Sequence, residues 1–248
     1  MRKKIFVCLP PLNTLILRSH RTNLDFCRSQ TILRLVNKHC LVTKQGKDVT
    51  IANRKVLEKE EMRKKILASA MKLFLSEGYD RVSIRKIADA IDYSPATVYL
   101  YFKDKTAIFN SLQKIAFDKF FETLTRAVKI KDAKKRLDKI GELYMKFAFD
   151  NPEYYDLMFI MSAPIDRTND ECYTDVRGLE LLSATIAEVF KNNRTQKVDV
   201  EAVTFLLWGF THGLASLVIR KRLAMFPDKH IKELFSKISK IMDERIFK

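Results

Sequence analysis

Twelve consecutive residues, Ser94-Pro-Ala-Thr-Val-Tyr-Leu-Tyr-Phe-Lys-Asp-Lys105, set hydroxyls, phenols and ammonium groups among apolar side chains. Such groups donate hydrogen bonds to anionic oxygens. They form contacts rather than break bonds. The stretch is therefore either the rim of a core or a surface built to touch a partner. Val98 and Phe102, four apart, belong to the first reading, and both can hold at once.

Catalytic alternatives find little support. There is no Gly-rich phosphate loop, no GxSxG and no HExxH, and the four histidines are His20, His39, His212 and His230. The four cysteines (Cys8, Cys27, Cys40, Cys172) form no CxxC or finger-like pair, so reduced thiols in a cytosol are expected. No enzyme, metal or cofactor is predicted. The 46 Lys and Arg against 30 Asp and Glu give +16, which favours a polyanionic partner. Residues 1–55 carry twelve basic and two acidic residues, so +10 of the +16 lies there.

The chain around the stretch predicts helices. With 6 Gly and 6 Pro in 248 residues, breakers are few and an all-α fold follows. From Val56 onward Met62, Ile66, Ala70, Leu73 and Phe74 share one helical face. Glu58, Glu60 and Glu61 are read as opening this helix and Gly78 as closing it. Ser83 caps a short helix whose inner face is Ile84, Ile87, Ala88 and Ile91. Asp92-Tyr93 breaks the period. Ser94 then caps a third helix with Pro95 at its first position, predicted to run to Phe102. Two short helices around a tight turn make a helix-turn-helix whose second helix is placed to enter a major groove.

The segment Val82 to Phe109, "VSIRKIADAIDYSPATVYLYFKDKTAIF", resembles the DNA-binding head of the TetR family of bacterial transcriptional regulators. Ile87-Ala88, Ser94, Thr97-Val98-Tyr99, Tyr101-Phe102-Lys103 and Lys105 carry the likeness, after a helix ending in Phe74, Gly78 and Tyr79. It covers roughly residues 58–110. It departs at Asp92, where the family usually has Gly. The resemblance implies that Pro95, Ala96 and Leu100 face base edges, by apolar contact such as with thymine methyls. It implies that Thr97, Tyr99, Tyr101 and Lys105 touch phosphates, with Tyr99 also in reach of a base. Ser83 and Ser94, as helix caps, join the predicted DNA-binding set. Arg85 and Lys86 are either solvated charge or secondary backbone contacts.

The basic leader, residues 1–55, has three readings: a flexible arm, a targeting signal, or sequence upstream of the true start. "MRKKIFVCLPPLNTLIL" mimics a secretory signal, but Pro10-Pro11 and Asn13-Thr14 interrupt it. The first and third readings are favoured. The head is assigned to 56–105 and a helical effector-binding and dimerisation domain to 106–248.

In that body a helix is predicted from Lys105 to Lys129 through Ile108, Leu112, Ile115, Phe120 and Leu124, with Asp104 as its cap. Another runs from Ala133 to Phe149, a third begins at Pro152 and ends at Pro164, and two long ones follow near 176–190 and 198–221. The last is apolar almost all round and must be buried all round. A homodimer joined by these two helices is predicted, with Gly209 and Gly213 allowing close approach. "NPEYYDLMF" and "WGFTHGLASL" resemble the WHG-type C-terminal subtype of the family. The resemblance implies a cytoplasmic repressor that binds a palindromic double-stranded DNA operator as a dimer. A small hydrophobic or planar effector of unknown identity would release it. Candidate ligand-binding residues are Phe147, Tyr155, Met158, Phe159, Met161, Trp208 and His212. Competing readings are a regulator without ligand, an activator, and a membrane-associated or exported helical protein.

Overall fold

The computed structural model describes residues 51–161, 175–191 and 198–247. The leader up to residue 50, all four cysteines and the expected helix end at Pro164 lie outside the described residues. Among the described residues the chain forms α-helices and no strand. The head holds α1 (Ile51–Glu77), α2 (Ile84–Asp89) and α3 (Pro95–Tyr99). The body holds α4 (Lys105–Thr125), α5 (Ala133–Asp150), α6 (Pro152–Tyr155), α7 (Arg177–Lys191), α8 (Val200–Ile219) and α9 (Asp228–Ile246).

Local signals account for the helix starts. Ser83, Ser94, Asp104, Asp132 and Asp199 each accept a backbone N–H of the first turn of the helix that follows. Each such cap contributes about 1 kcal/mol. Gly78 takes φ +83° and ends α1. Asp92 takes φ +62° at the turn, so it adopts the left-handed geometry expected of Gly there.

Several boundaries differ from expectation. Helix α1 begins at Ile51, inside the predicted leader. Glu58, Glu60 and Glu61 therefore lie beyond the first turn, and the first turn holds no acid. Glu58 instead pairs with Arg54 at 2.9 Å, one helical turn away and exposed. Helix α3 stops at Tyr99, but the N–H groups of Tyr101 and Phe102 both reach the Val98 carbonyl, so the coil tightens rather than ends. The last turn of α4 likewise tightens into a 3₁₀ turn, Arg126–Lys129. After α6 the chain widens into a π-helical turn, Asp156–Ile160.

One continuous core runs from head to body. Phe74, Ile87, Val98, Phe102 and Phe109 fill the head, and Leu112, Phe120, Tyr144, Phe147 and Tyr155 continue it. Helix α4 belongs to both parts: Ile108 and Phe109 seal the head, while Phe120 and Leu124 lie in the body. Ile115, expected in the core, is exposed because the α4 contacts fall on the other side of the helix.

Helix α7 buries one side within the chain: Ile186 and Phe190 pack with Leu137 of α5, and Leu181 joins the main core. The buried Arg136 of α5 pairs with Glu188 of α7 and donates to the Ile130 carbonyl at 2.9 Å. Arg177 ties the start of α7 to Asp118 of α4 at 2.6 Å. Burial would raise the Asp118 carboxyl, but hydrogen bonds from Lys114 and Arg177 outweigh it and hold the group below its ordinary value. Helix α8 is long and apolar enough, by length and composition, to cross a membrane. Thr204 and Ala215 on its inner side are buried, whereas Phe205, Leu206 and Leu217 are exposed. Leu234 and Ile241 of α9 are exposed as well.

Candidate nucleic-acid interface

The geometry of α3 divides its residues by their depth. Val98 is fully buried and Phe102 nearly so, which clamps the helix to the head. Tyr99 and Leu100 project outward, 56% and 78% exposed. Ser94 and Ala96 are also exposed, while Pro95, Thr97 and Tyr101 are half-buried. Tyr99 and Leu100 thus form an open outer face on a helix pinned from behind by Val98 and Phe102.

The caps organise the rest. Ser94 Oγ accepts from Thr97 N at 3.2 Å and lies 3.1 Å from Thr97 Oγ1. Ser83 Oγ accepts from Lys86 N at 3.2 Å at the exposed start of α2. Lys86 donates to Glu77 and to the Arg81 carbonyl, and Arg85 lies 3.9 Å from Asp89.

Two cations brace the head around the recognition helix, and the sequence pattern identified the structural role of neither. Arg63 of α1 donates to the Tyr101 carbonyl at 3.3 Å and to Ser111 Oγ of α4 at 3.1 Å. Its guanidinium lies 4.2 Å from the centre of the Phe102 ring. It thus joins α1, the end of α3 and α4. Lys105, expected at the phosphates, donates to the Tyr79 carbonyl at 2.7 Å and sits 4.1 Å from the Tyr79 ring centre. Its ammonium is engaged with the head before any partner arrives. Tyr79 also stacks on Phe74, meets Phe109 edge-on and pairs its hydroxyl with Thr106 at 2.9 Å.

A match over residues 66–112 to the model of bacterial regulatory proteins of the tetR family fits this head, and one over 137–239 to the tetracyclin repressor-like C-terminal domain fits the body. The chain belongs to the TetR family. As a TetR-family protein it is a DNA-binding transcriptional regulator, and dimerisation and ligand release are the norm of that family. The matching body model is the tetracyclin repressor-like one and does not bear on the WHG-type subtype. The chain is 26% identical over 150 residues to the biofilm operon icaADBC HTH-type negative transcriptional regulator IcaR of Staphylococcus aureus (strain Newman). That match spans 59% of this chain and 78% of IcaR. The fold is similar to the TetR family transcriptional regulator PfmR of Thermus thermophilus (TM-score 0.53, 22% identity, 64% and 84% of the two chains). It is also similar to the fatty acid degradation regulator FadR of Bacillus halodurans (TM-score 0.54, 18% identity, 64% and 85%).

In the TetR body, the residues singled out for ligand binding separate. Phe147, Tyr155 and Met158 are buried in the main core, and Phe159 and Met161 pack against it. His212 is tied to two tyrosines: Tyr144 Oη and Tyr155 Oη each lie 3.0 Å from its Nδ1, and Tyr155 also donates to the His212 carbonyl at 3.0 Å. Burial pushes the Tyr155 phenol up to about 12, raises Tyr144 further, and lowers the imidazole. All three are therefore neutral near pH 7. Trp208 alone of the seven lines the cavity between α5, α8 and α9, where Tyr144, not singled out from sequence, also appears.

Proposed function

We propose that this TetR-family regulator is a cytoplasmic dimeric repressor that leaves a palindromic operator when a small hydrophobic or planar ligand enters its body. The observation that carries the reading is the build of α3. Its inner residues Val98 and Phe102 are locked, its outer residues Tyr99 and Leu100 are open, Arg63 ties the turn after it to α4, and Lys105 ties the start of α4 to Tyr79. Ser83, Ser94, Thr97, Tyr99 and Tyr101 supply hydroxyl donors to the phosphate backbone. Pro95, Ala96 and Leu100 make apolar contacts in the groove. Lys105 has three N–H donors, and those not used on Tyr79 serve a phosphate.

The negative regulation named for IcaR supports the sign of the effect. The open outer faces of α8 and α9, with Phe205, Leu206, Leu217, Leu234 and Ile241, support a second copy as their cover. Side chains added at Gly209 or Gly213 would meet nothing within 4 Å, which leaves room for a partner helix there. Two heads held this way meet half-sites about 34–36 Å apart.

Selection of bound fragments from genomic DNA tests the reading. A two-fold symmetric consensus is expected, bound by a dimer, with Leu206→Glu giving a monomer of weak operator affinity. Binding without sequence preference would sink the operator reading.

A further inference from the structure

Gly141 lies inside α5, where glycine is unfavourable by about 1 kcal/mol relative to alanine. Its backbone does not require glycine, since Gly78 alone among the described glycines takes a positive φ. Close packing does not require it either, because a Cβ built there meets nothing within 4 Å. The missing side chain leaves space, and that space is part of a cavity of about 380 Å³ between α5, α8 and α9. This falls within the range of about 300–1,000 Å³ typical of small-molecule sites.

The walls give the chemistry. Leu137, Met145, Leu207, Leu214 and Phe235 are apolar, and Tyr144 and Trp208 stand on the buried side. Tyr144 is held to His212, Thr211 donates to the Leu207 carbonyl at 2.8 Å, and Ser239 adds a third hydroxyl, so a few hydrogen-bonding points stand in a mainly apolar wall. The charged residues of the wall are Lys134, Asp138 and Glu142. Lys134 is paired with Asp138 at 2.7 Å, and Glu142 with Lys139 at 2.7 Å. An anion entering here would meet two carboxylates and one ammonium already paired.

We propose that this cavity binds one small, uncharged, mainly apolar molecule, and that Gly141 makes the room for it. The inference rests on the ligand-responsive reading above. It moves the site from Phe147, Tyr155 and Met158 to the α9 side of Tyr144.

Trp208 is the single tryptophan of the chain, so its fluorescence reports the cavity directly. The full-length protein is titrated with 1-octanol and with octanoate, matched in chain length and different in charge. A saturable change with 1-octanol is expected, and octanoate should bind at least about tenfold more weakly, since burying an unpaired carboxylate is costly. Gly141→Leu fills the space, keeps or raises the melting temperature because leucine favours the helix, and abolishes the response. Gly141→Ala, the safest variant for folding, weakens it part-way. No saturable response, octanoate binding as tight as octanol, or unchanged octanol affinity in Gly141→Ala and Gly141→Leu each overturns the proposal. Operator binding, followed separately by anisotropy, keeps the two readings apart. Octanol binding that never releases DNA supports the cavity and removes ligand release. Release that persists in Gly141→Leu overturns the cavity and leaves ligand release standing.

Discussion

The imidazole of His212 offers a test of the body's polar network by a double-mutant cycle. Its Nδ1 carries one lone pair or one hydrogen, so it makes one full hydrogen bond. Two hydroxyls, Tyr144 Oη and Tyr155 Oη, lie 3.0 Å from it. With the Tyr155 hydrogen on the His212 carbonyl, Nδ1 accepts from Tyr144. Either tyrosine can satisfy Nδ1 when the other is removed. Tyr144→Phe and Tyr155→Phe should therefore each cost only about 0.5–1.5 kcal/mol, the net worth of one hydrogen bond. The double variant leaves a half-buried ring nitrogen without a partner. That adds about 1–3 kcal/mol beyond the sum, toward the low end because the ring keeps some access to water. Urea unfolding at one fixed protomer concentration measures this, since a dimer's stability depends on concentration. A coupling of about 1 kcal/mol moves the midpoint by roughly 0.3–1 M beyond additivity. Additive losses, within about 0.5 kcal/mol, would refute the shared-partner account.

Burial lowers the His212 pKa in the folded state, so the unfolded chain binds the proton more readily. The His212 contribution is fully present above about pH 6.5 and is lost as pH falls from there through the folded value. Unfolding free energies measured from pH 8 to 5 should fall over that window, and His212→Asn should flatten the fall. Arg63→Ala removes two hydrogen bonds and a cation–π contact, and should cost about 2–3 kcal/mol. Operator affinity at a temperature where the variant remains folded should drop as well; unchanged affinity would show that Arg63 does not position α3. Lys105→Ala should lower the salt slope of operator binding by about 1 and, through the lost Tyr79 contacts, also lower the melting temperature. A changed slope with an unchanged melting temperature would show the Tyr79 contacts to be energetically idle.

The head was legible because its signals are local. Ser83, Ser94 and Asp104 act on N–H groups three residues away, and Ile84, Ile87, Ala88 and Ile91 define a face by spacing alone. Asp92 could be read as a left-handed turn from its neighbours, without knowledge of the rest of the fold. The body was legible as helices but not as partners. Periodicity says that a helix has an apolar face; it does not say what covers it. Helix α7 buries Leu181, Ile186 and Phe190 within the chain, while α8, apolar almost all round, leaves Phe205, Leu206 and Leu217 exposed, and the sequence did not say which of its sides would be left open.

Residues far apart in sequence decided the rest. Arg63 meets Ser111 across 48 positions, and His212 meets Tyr144 and Tyr155 across 68 and 57. Lys105 turned inward because α1 ends beside it and offers the Tyr79 carbonyl and ring. Gly141 looked like a weak point in a helix until α8 and α9 closed around the space it leaves. The sequence by itself determined the capped helix starts at Ser83, Ser94 and Asp104 and the end of α1 at Gly78, because caps and periodicity act within a few residues. Tertiary structure alone decided which side became core, cavity or open face, because that depends on which helices meet.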